Sequence, residues 1–224
     1  MKPIYIPKGA AKEYGDYALN IYTGCPHRCY YCFAPQVLHR DREQFHSIVE
    51  PRANIIEETR KQVERENITG KLIHLCFTCD PYPTGYDSSA TREIIKILKE
   101  HGNHVQILTK GDGSRDFDLL DSEDWYGITL DGTECLAGRY ENLRNAKMRG
   151  IKTWVSFEPI VRGADVLERI PYVGREADMM KFGKLNYHPS EINWKLLGEA
   201  IEAACKFYGF NYYIKDSLRK EMEK

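Results

Sequence analysis

The chain has 224 residues, 42% of them hydrophobic, enough to bury a sizeable core without covalent staples. Its 32 Lys and Arg against 33 Asp and Glu give a net charge of -1, which excludes a global field that would draw in nucleic acid or an anionic membrane. The longest apolar runs are strand-sized, far short of the roughly 20 residues a membrane helix needs, and the start, Met1-Lys2-Pro3-Ile4, has no apolar targeting core, so one globular domain in the cytoplasm is expected.

The first predicted strand, Tyr17 to Tyr22, runs straight into Thr23-Gly24 and the stretch Cys25-Pro26-His27-Arg28-Cys29-Tyr30-Tyr31-Cys32. Three thiolates at this spacing bind metal. Cysteines are the standard ligands of iron-sulfur clusters, and three of them on a four-iron cube leave one iron open for chemistry. A structural zinc site wants a fourth ligand. His27, His39 and His46 are nearby, but His39 and His46 are separated by six residues, outside the usual finger spacing. A disulfide framework is disfavoured by an odd total of seven cysteines.

Beyond the cysteine loop, strands alternate with helices, the order that builds βα units and a parallel sheet. Pro51 to Glu66 reads as a helix, with Pro51 near its first turn and Glu57 four residues before Lys61. Leu72 to Phe77 is an apolar strand opening into Thr78-Cys79-Asp80-Pro81-Tyr82-Pro83, where two prolines forbid further pairing. Ser89 is the predicted N-cap of a helix carrying Ile94, Ile95, Ile97 and Leu98, with Gly102 just past its end. His104 to Leu108 is the third strand, ending in Thr109-Lys110-Gly111, and a helical piece spans Asp116 to Leu120.

Tyr126 to Leu130 gives a fourth strand ending at Asp131, a helix ends at Gly150, and Lys152 to Phe157 gives a fifth that stops at Glu158-Pro159. Asp178 to Phe182 is a sixth. An amphipathic helix over Ser190 to Tyr208 and a short strand, Tyr212 to Ile214, complete the chain. Six βα units, with room for a short seventh strand, are fewer than the eight of a closed barrel, so the expected fold is an α/β open partial barrel. The expected domain is 1–224, with a core of about 17–185 and a C-terminal helix, strand and tail over 186–224. Strand ends, where such folds place their sites, carry Cys25, Asp80, Lys110, Asp131, Glu158 and Lys181.

The cysteine motif resembles the signature of the radical S-adenosylmethionine (SAM) superfamily. Over roughly residues 17–160 the chain looks like its small spore photoproduct lyase-like branch, through Leu19-Asn20-Ile21-Tyr22-Thr23-Gly24-Cys25, Phe77-Thr78-Cys79-Asp80-Pro81-Tyr82, Thr91-Arg92, Leu108-Thr109-Lys110 and Arg115-Asp116. The resemblance implies a partial (β/α)6 barrel and a [4Fe-4S] cluster ligated by Cys25, Cys29 and Cys32. It also implies an enzyme whose reduced cluster cleaves SAM to a 5'-deoxyadenosyl radical that abstracts hydrogen from a substrate. Tyr31 then packs near the adenine, Thr78 and Asp80 hold the methionyl amino group, and Lys110 pairs with its carboxylate. Thr129 and Glu158 lie where the ribose, carboxylate or substrate is held.

Partners implied are SAM, an electron donor such as flavodoxin or ferredoxin, and a nucleic acid, peptide or small-molecule substrate. The lyase pattern places a hydrogen-donating cysteine where Phe77 stands, which puts photoproduct repair in doubt. Cys79, at the strand mouth, is the candidate donor, with Cys76 beside it. A second cluster drawing on Cys135 and Cys205 is disfavoured by their scatter. The competing readings are an iron-sulfur or zinc module that binds nucleic acid through Arg28, His39, Arg40 and Arg42, and a radical enzyme that modifies a partner protein or peptide.

Overall fold

The structure is a computed structural model that describes residues 2–132 and 137–224, so Cys135 lies outside the described residues. The described residues form eight strands, mostly parallel in their pairings, that alternate with helices in the α/β manner expected. The chain divides into two compact units, residues 1–125 and 126–224.

The first unit opens with β1 (Ile4–Tyr5), which pairs antiparallel with β2 (Tyr17–Leu19). After the cysteine loop come two short helices, α1 (Ala34–Val37) and α2 (Arg42–Ser47), then α3 (Ile55–Glu66). β3 (Leu72–Leu75), α4 (Ser89–Glu100) and β4 (His104–Thr109) follow, with β2, β3 and β4 parallel and in register at Ala18, His74 and Gln106. β2 stops three residues before its expected end. The Asn20 side chain explains this, because its Oδ1 accepts the N–H groups of Phe77 and Thr78 at 2.7 and 2.9 Å, where ladder pairing would otherwise continue.

α4 buries Ile94, Ile95, Ile97 and Leu98 as its apolar spacing predicts, and ends in a Schellman turn. Gly102, at φ +70°, donates to the Lys99 carbonyl while Asn103 donates to that of Leu98. Lys99 itself reaches the buried Asp124 at 2.5 Å and Asp121 at 2.7 Å. Burial works against the Lys99 charge, but the two carboxylates outweigh it and hold the ammonium above its ordinary value. The same ammonium holds Asp121 below its own. A carboxylate lowered in the folded state contributes stability that is complete above about pH 4 and is lost as pH falls through its folded value. Replacing Lys99 by Met should therefore cost about 3 kcal/mol at pH 7, because buried Asp124 loses its ammonium partner and keeps the Val105 and Asp121 amides, and the gap to the parent should narrow at pH 3 as the Asp121 contribution is lost. Urea unfolding at the two pH values measures this; a gap that widens on acidification contradicts the pairing.

The second unit is entered through β5 (Trp125–Thr129) and continues with α5 (Ala137–Met148), β6 (Lys152–Ile160), α6 (Gly163–Val173) and β7 (Met179–Lys184). α7 (Trp194–Tyr208), β8 (Tyr212–Ile214) and α8 (Asp216–Met222) complete it. β6, β7 and β8 are parallel, and the rings of Phe157 and Phe182, partners in register, stack with centroids 5.0 Å apart. α6 was not legible from its sequence pattern, since Pro171 sits inside it and removes an interior hydrogen bond. No helix among the described residues is long and apolar enough to cross a membrane.

Candidate active site

The cysteine loop leaves the carboxyl end of β2 and turns back on itself, with the Cys32 amide donating to the Cys29 carbonyl at 3.0 Å. Cys25, Cys29 and Cys32 are half-buried and free of disulfides. Gly24 permits the entry: a Cβ there would lie 2.3 Å from the Phe45 carbonyl oxygen and 2.4 Å from that of Ile48. The Cys25 amide donates to the same Phe45 carbonyl at 3.1 Å. Burial pushes the Cys25 thiol well above its ordinary value, and the Asp80 carboxylate adds to the rise. Burial also raises Cys32, while Arg42 and Lys110 pull it back.

Asp80 organises the two strand ends beside this loop. It is buried, and Oδ1 accepts from the Tyr82 amide at 2.8 Å and the Thr109 hydroxyl at 2.5 Å, while Oδ2 accepts from the Lys110 amide at 2.8 Å. His27, from the middle of the cysteine loop, brings Nε2 to 3.1 Å from Oδ2, without the direction of a hydrogen bond. One carboxylate thus ties β3's exit to β4's exit and meets the loop. Lys110 then extends to the Tyr31 hydroxyl and lies 5.0 Å from the centre of its ring. Two residues expected to contact the same ligand, 79 positions apart, face each other.

Thr78 and Cys79 take different surroundings. The Thr78 hydroxyl accepts from Arg52 at 3.4 Å, and the Cys79 sulfur accepts from the Tyr22 amide at 3.4 Å. Burial alone would raise Cys79, but hydrogen bonds from the Cys76 thiol and the Tyr22 amide, with the charge of Arg52, bring it below its ordinary value. Cys76, buried and donating to Cys79, is pushed up. Phe77 stacks on His74 with ring centres 4.3 Å apart.

In the second unit, Thr129 is buried at the end of β5 and its carbonyl accepts from Arg139 at 2.8 Å. Glu158 on β6 is gripped by Lys215, whose ammonium lies 2.7 and 2.9 Å from its two oxygens. Lys215 is itself buried, so this carboxylate is fixed in orientation.

The donor set fits a four-iron cluster with one open corner: three thiols of one loop, with a lysine and an aromatic ring brought together nearby. A family model described as the Radical SAM superfamily matches residues 19–165, well over half of the chain. The chain belongs to the radical SAM superfamily. As a radical SAM protein it is an enzyme whose cofactors are a [4Fe-4S] cluster and SAM. Its fold is similar to that of a spore photoproduct lyase mutant with bound AdoMet and dinucleoside spore photoproduct, at a TM-score of 0.69 and 14% identity over 94% of this chain and 79% of that one. A second mutant of the same lyase gives a TM-score of 0.70 at 13% identity, with the same coverage. The radical SAM methyltransferase TsrM from Kitasatospora setae, with cobalamin and a [4Fe-4S] cluster bound, gives 0.50 at 14% identity over 75% of this chain and 34% of that one. No curated protein matches the chain in sequence.

Sequence reasoning missed several partners in the radical SAM site. Asn20 and Thr109 lie inside stretches that carry the family resemblance, yet their roles depend on residues 57 and 29 positions away. His27 was weighed only as a zinc ligand. Of the basic residues expected for a nucleic-acid module, Arg40 donates to the Thr23 carbonyl and Arg42 to carbonyls of the cysteine loop, while Arg28 stays exposed and pairs with Glu43 at 2.7 Å, and His39 is exposed too.

Proposed function

We propose that Cys25, Cys29 and Cys32 hold the cluster of this enzyme and that Tyr31, Thr78, Asp80 and Lys110 form the adjoining SAM site. When bound, the cluster and SAM supply reductive cleavage of the sulfonium to methionine and a 5'-deoxyadenosyl radical that takes hydrogen from the substrate. Lys110 pairs its ammonium with the methionyl carboxylate, and the Tyr31 ring packs near the adenine. Asp80 serves the amino group chiefly by fixing the strand ends around it, since donors from Tyr82, Thr109 and Lys110 already occupy three of the roughly four acceptor sites on its oxygens. The family resemblance gives Thr129 and Glu158 roles toward ribose or substrate, and within the second unit Lys215 sets the orientation of Glu158. The single-domain organisation over 1–224 is part of this reading.

Cys79 is the proposed hydrogen donor to the substrate radical. A C–H bond forms as the S–H bond breaks, leaving a thiyl on Cys79 that an electron and a proton from the external reductant restore. A flavodoxin or ferredoxin in the cytoplasm fits that role and the reduction of the cluster. Photoproduct repair is not transferred to this chain, because Phe77 occupies the position of the lyase-type donor. The observation that carries the reading is the meeting of Lys110 with Tyr31 beside the cysteine loop. Anaerobic reconstitution with iron, sulfide, dithionite and SAM tests it: release of 5'-deoxyadenosine supports it, and a fully loaded chain that leaves SAM intact sinks it.

A further inference from the structure

Three carbonyls of the cysteine loop converge on one side chain. Arg42 donates from one guanidinium nitrogen to the carbonyls of Cys29 and Tyr30, the latter at 3.1 Å, and from the other to that of Cys32 at 3.3 Å. His46, four residues later on the same face of α2, brings Nδ1 to 2.7 Å from the carbonyl oxygen of Cys25. A carbonyl only accepts, so Nδ1 carries the proton. The ring is buried, its Nε2 has no hydrogen-bond partner among the described residues, and Nδ1 ties it to the loop. α2 is itself anchored by Asp41, whose side chain accepts from the Gln44 amide at 2.9 Å.

We propose that α2 is a clamp that shapes the cysteine loop before iron arrives, Arg42 and His46 together holding the carbonyl of each cysteine, and that the Arg42 guanidinium leaves a fixed positive charge beside the cluster that favours its reduced state. This rests on the three cysteines being the cluster ligands. Both are positioning residues: they touch main-chain oxygens of the ligand loop. Outer partners of metal ligands typically govern affinity by about 10–100-fold. Each electron the cluster accepts adds a negative charge, so a cation held in place stabilises the reduced form more than the oxidised one. Lysine at position 42 keeps the charge but loses the planar fork; glutamine keeps a short donor and loses the charge.

Hydrogen exchange on the iron-free full-length parent is the first readout, with slow exchange of the Cys25 and Cys32 amides expected. R42K and H46L should speed it. The second readout is iron and sulfide per chain at limiting iron, expected to show about a tenfold weaker uptake in R42K, R42Q and H46L. The third is the midpoint potential followed by electron paramagnetic resonance at excess iron. R42Q should fall by about 60 mV, a tenfold smaller reduced fraction for a one-electron couple, while R42K and H46L keep the parent value. Fast exchange of the loop in the iron-free parent overturns the clamp even where a variant misfolds. Unaltered iron uptake in all three variants also overturns it, and an unshifted R42Q potential overturns the charge effect. A parent that assembles no cluster overturns the ligand assignment instead, and the exchange readout still decides the clamp.

Discussion

Replacing Cys29 by alanine should leave a folded chain that binds little iron and releases no 5'-deoxyadenosine above background. Cys29 is half-buried, and among the described residues its thiol makes a single long hydrogen bond, 3.9 Å, to the His27 carbonyl, so its loss removes little packing. Two thiolates cannot grip the cube at the three corners the loop provides. The drop in activity should exceed the roughly 10–100-fold that loss of an outer partner costs, because a ligand itself is gone. Circular dichroism before and after reconstitution separates a folded, iron-poor chain from a misfolded one. Parent-level release of 5'-deoxyadenosine by the variant would falsify the ligand set.

Replacing Asp80 by alanine should be the most destabilising change in the first unit, by about 3–5 kcal/mol. The carboxylate is 7% exposed and receives the Tyr82 amide, the Thr109 hydroxyl and the Lys110 amide, all of which lose their acceptor together. Asparagine should cost less, about 1–2 kcal/mol, because its oxygen keeps the first two bonds while its NH2 faces the Lys110 amide. Urea unfolding of the iron-free chains measures both. A second effect follows from the Lys110 amide: once that strand end loosens, SAM binding to the reconstituted protein should weaken in both variants, more in the alanine one. Parent-like stability of the alanine variant would show that the three hydrogen bonds are dispensable.

The proposed cysteine ligands are legible because their chemistry is local: three thiols within eight residues suggest a metal site without knowledge of the fold. The strand order was legible for a related reason, since β3 and β4 are buried apolar runs bounded by proline, glycine or charge. What escaped was non-local or short. β1 is two residues long, and α2 is six residues between charged turns, too short for an apolar period to register. Asn20, His27 and Lys215 act through partners 57, 53 and 57 residues away, and their residue types announce no such pairing. Asp80 was placed at the right strand end, but that its oxygens are taken up by Tyr82, Thr109 and Lys110 follows only from three dimensions.

Among the described residues, the side chains named around the cysteine loop, Asn20, His27, Arg42, Asp80 and Lys110, belong to residues 1–125, whereas Glu158 and Lys215 belong to the remainder. The consequence is modularity. Replacements after residue 125 that spare Thr129, Glu158 and Lys215 should therefore leave those loop contacts in place.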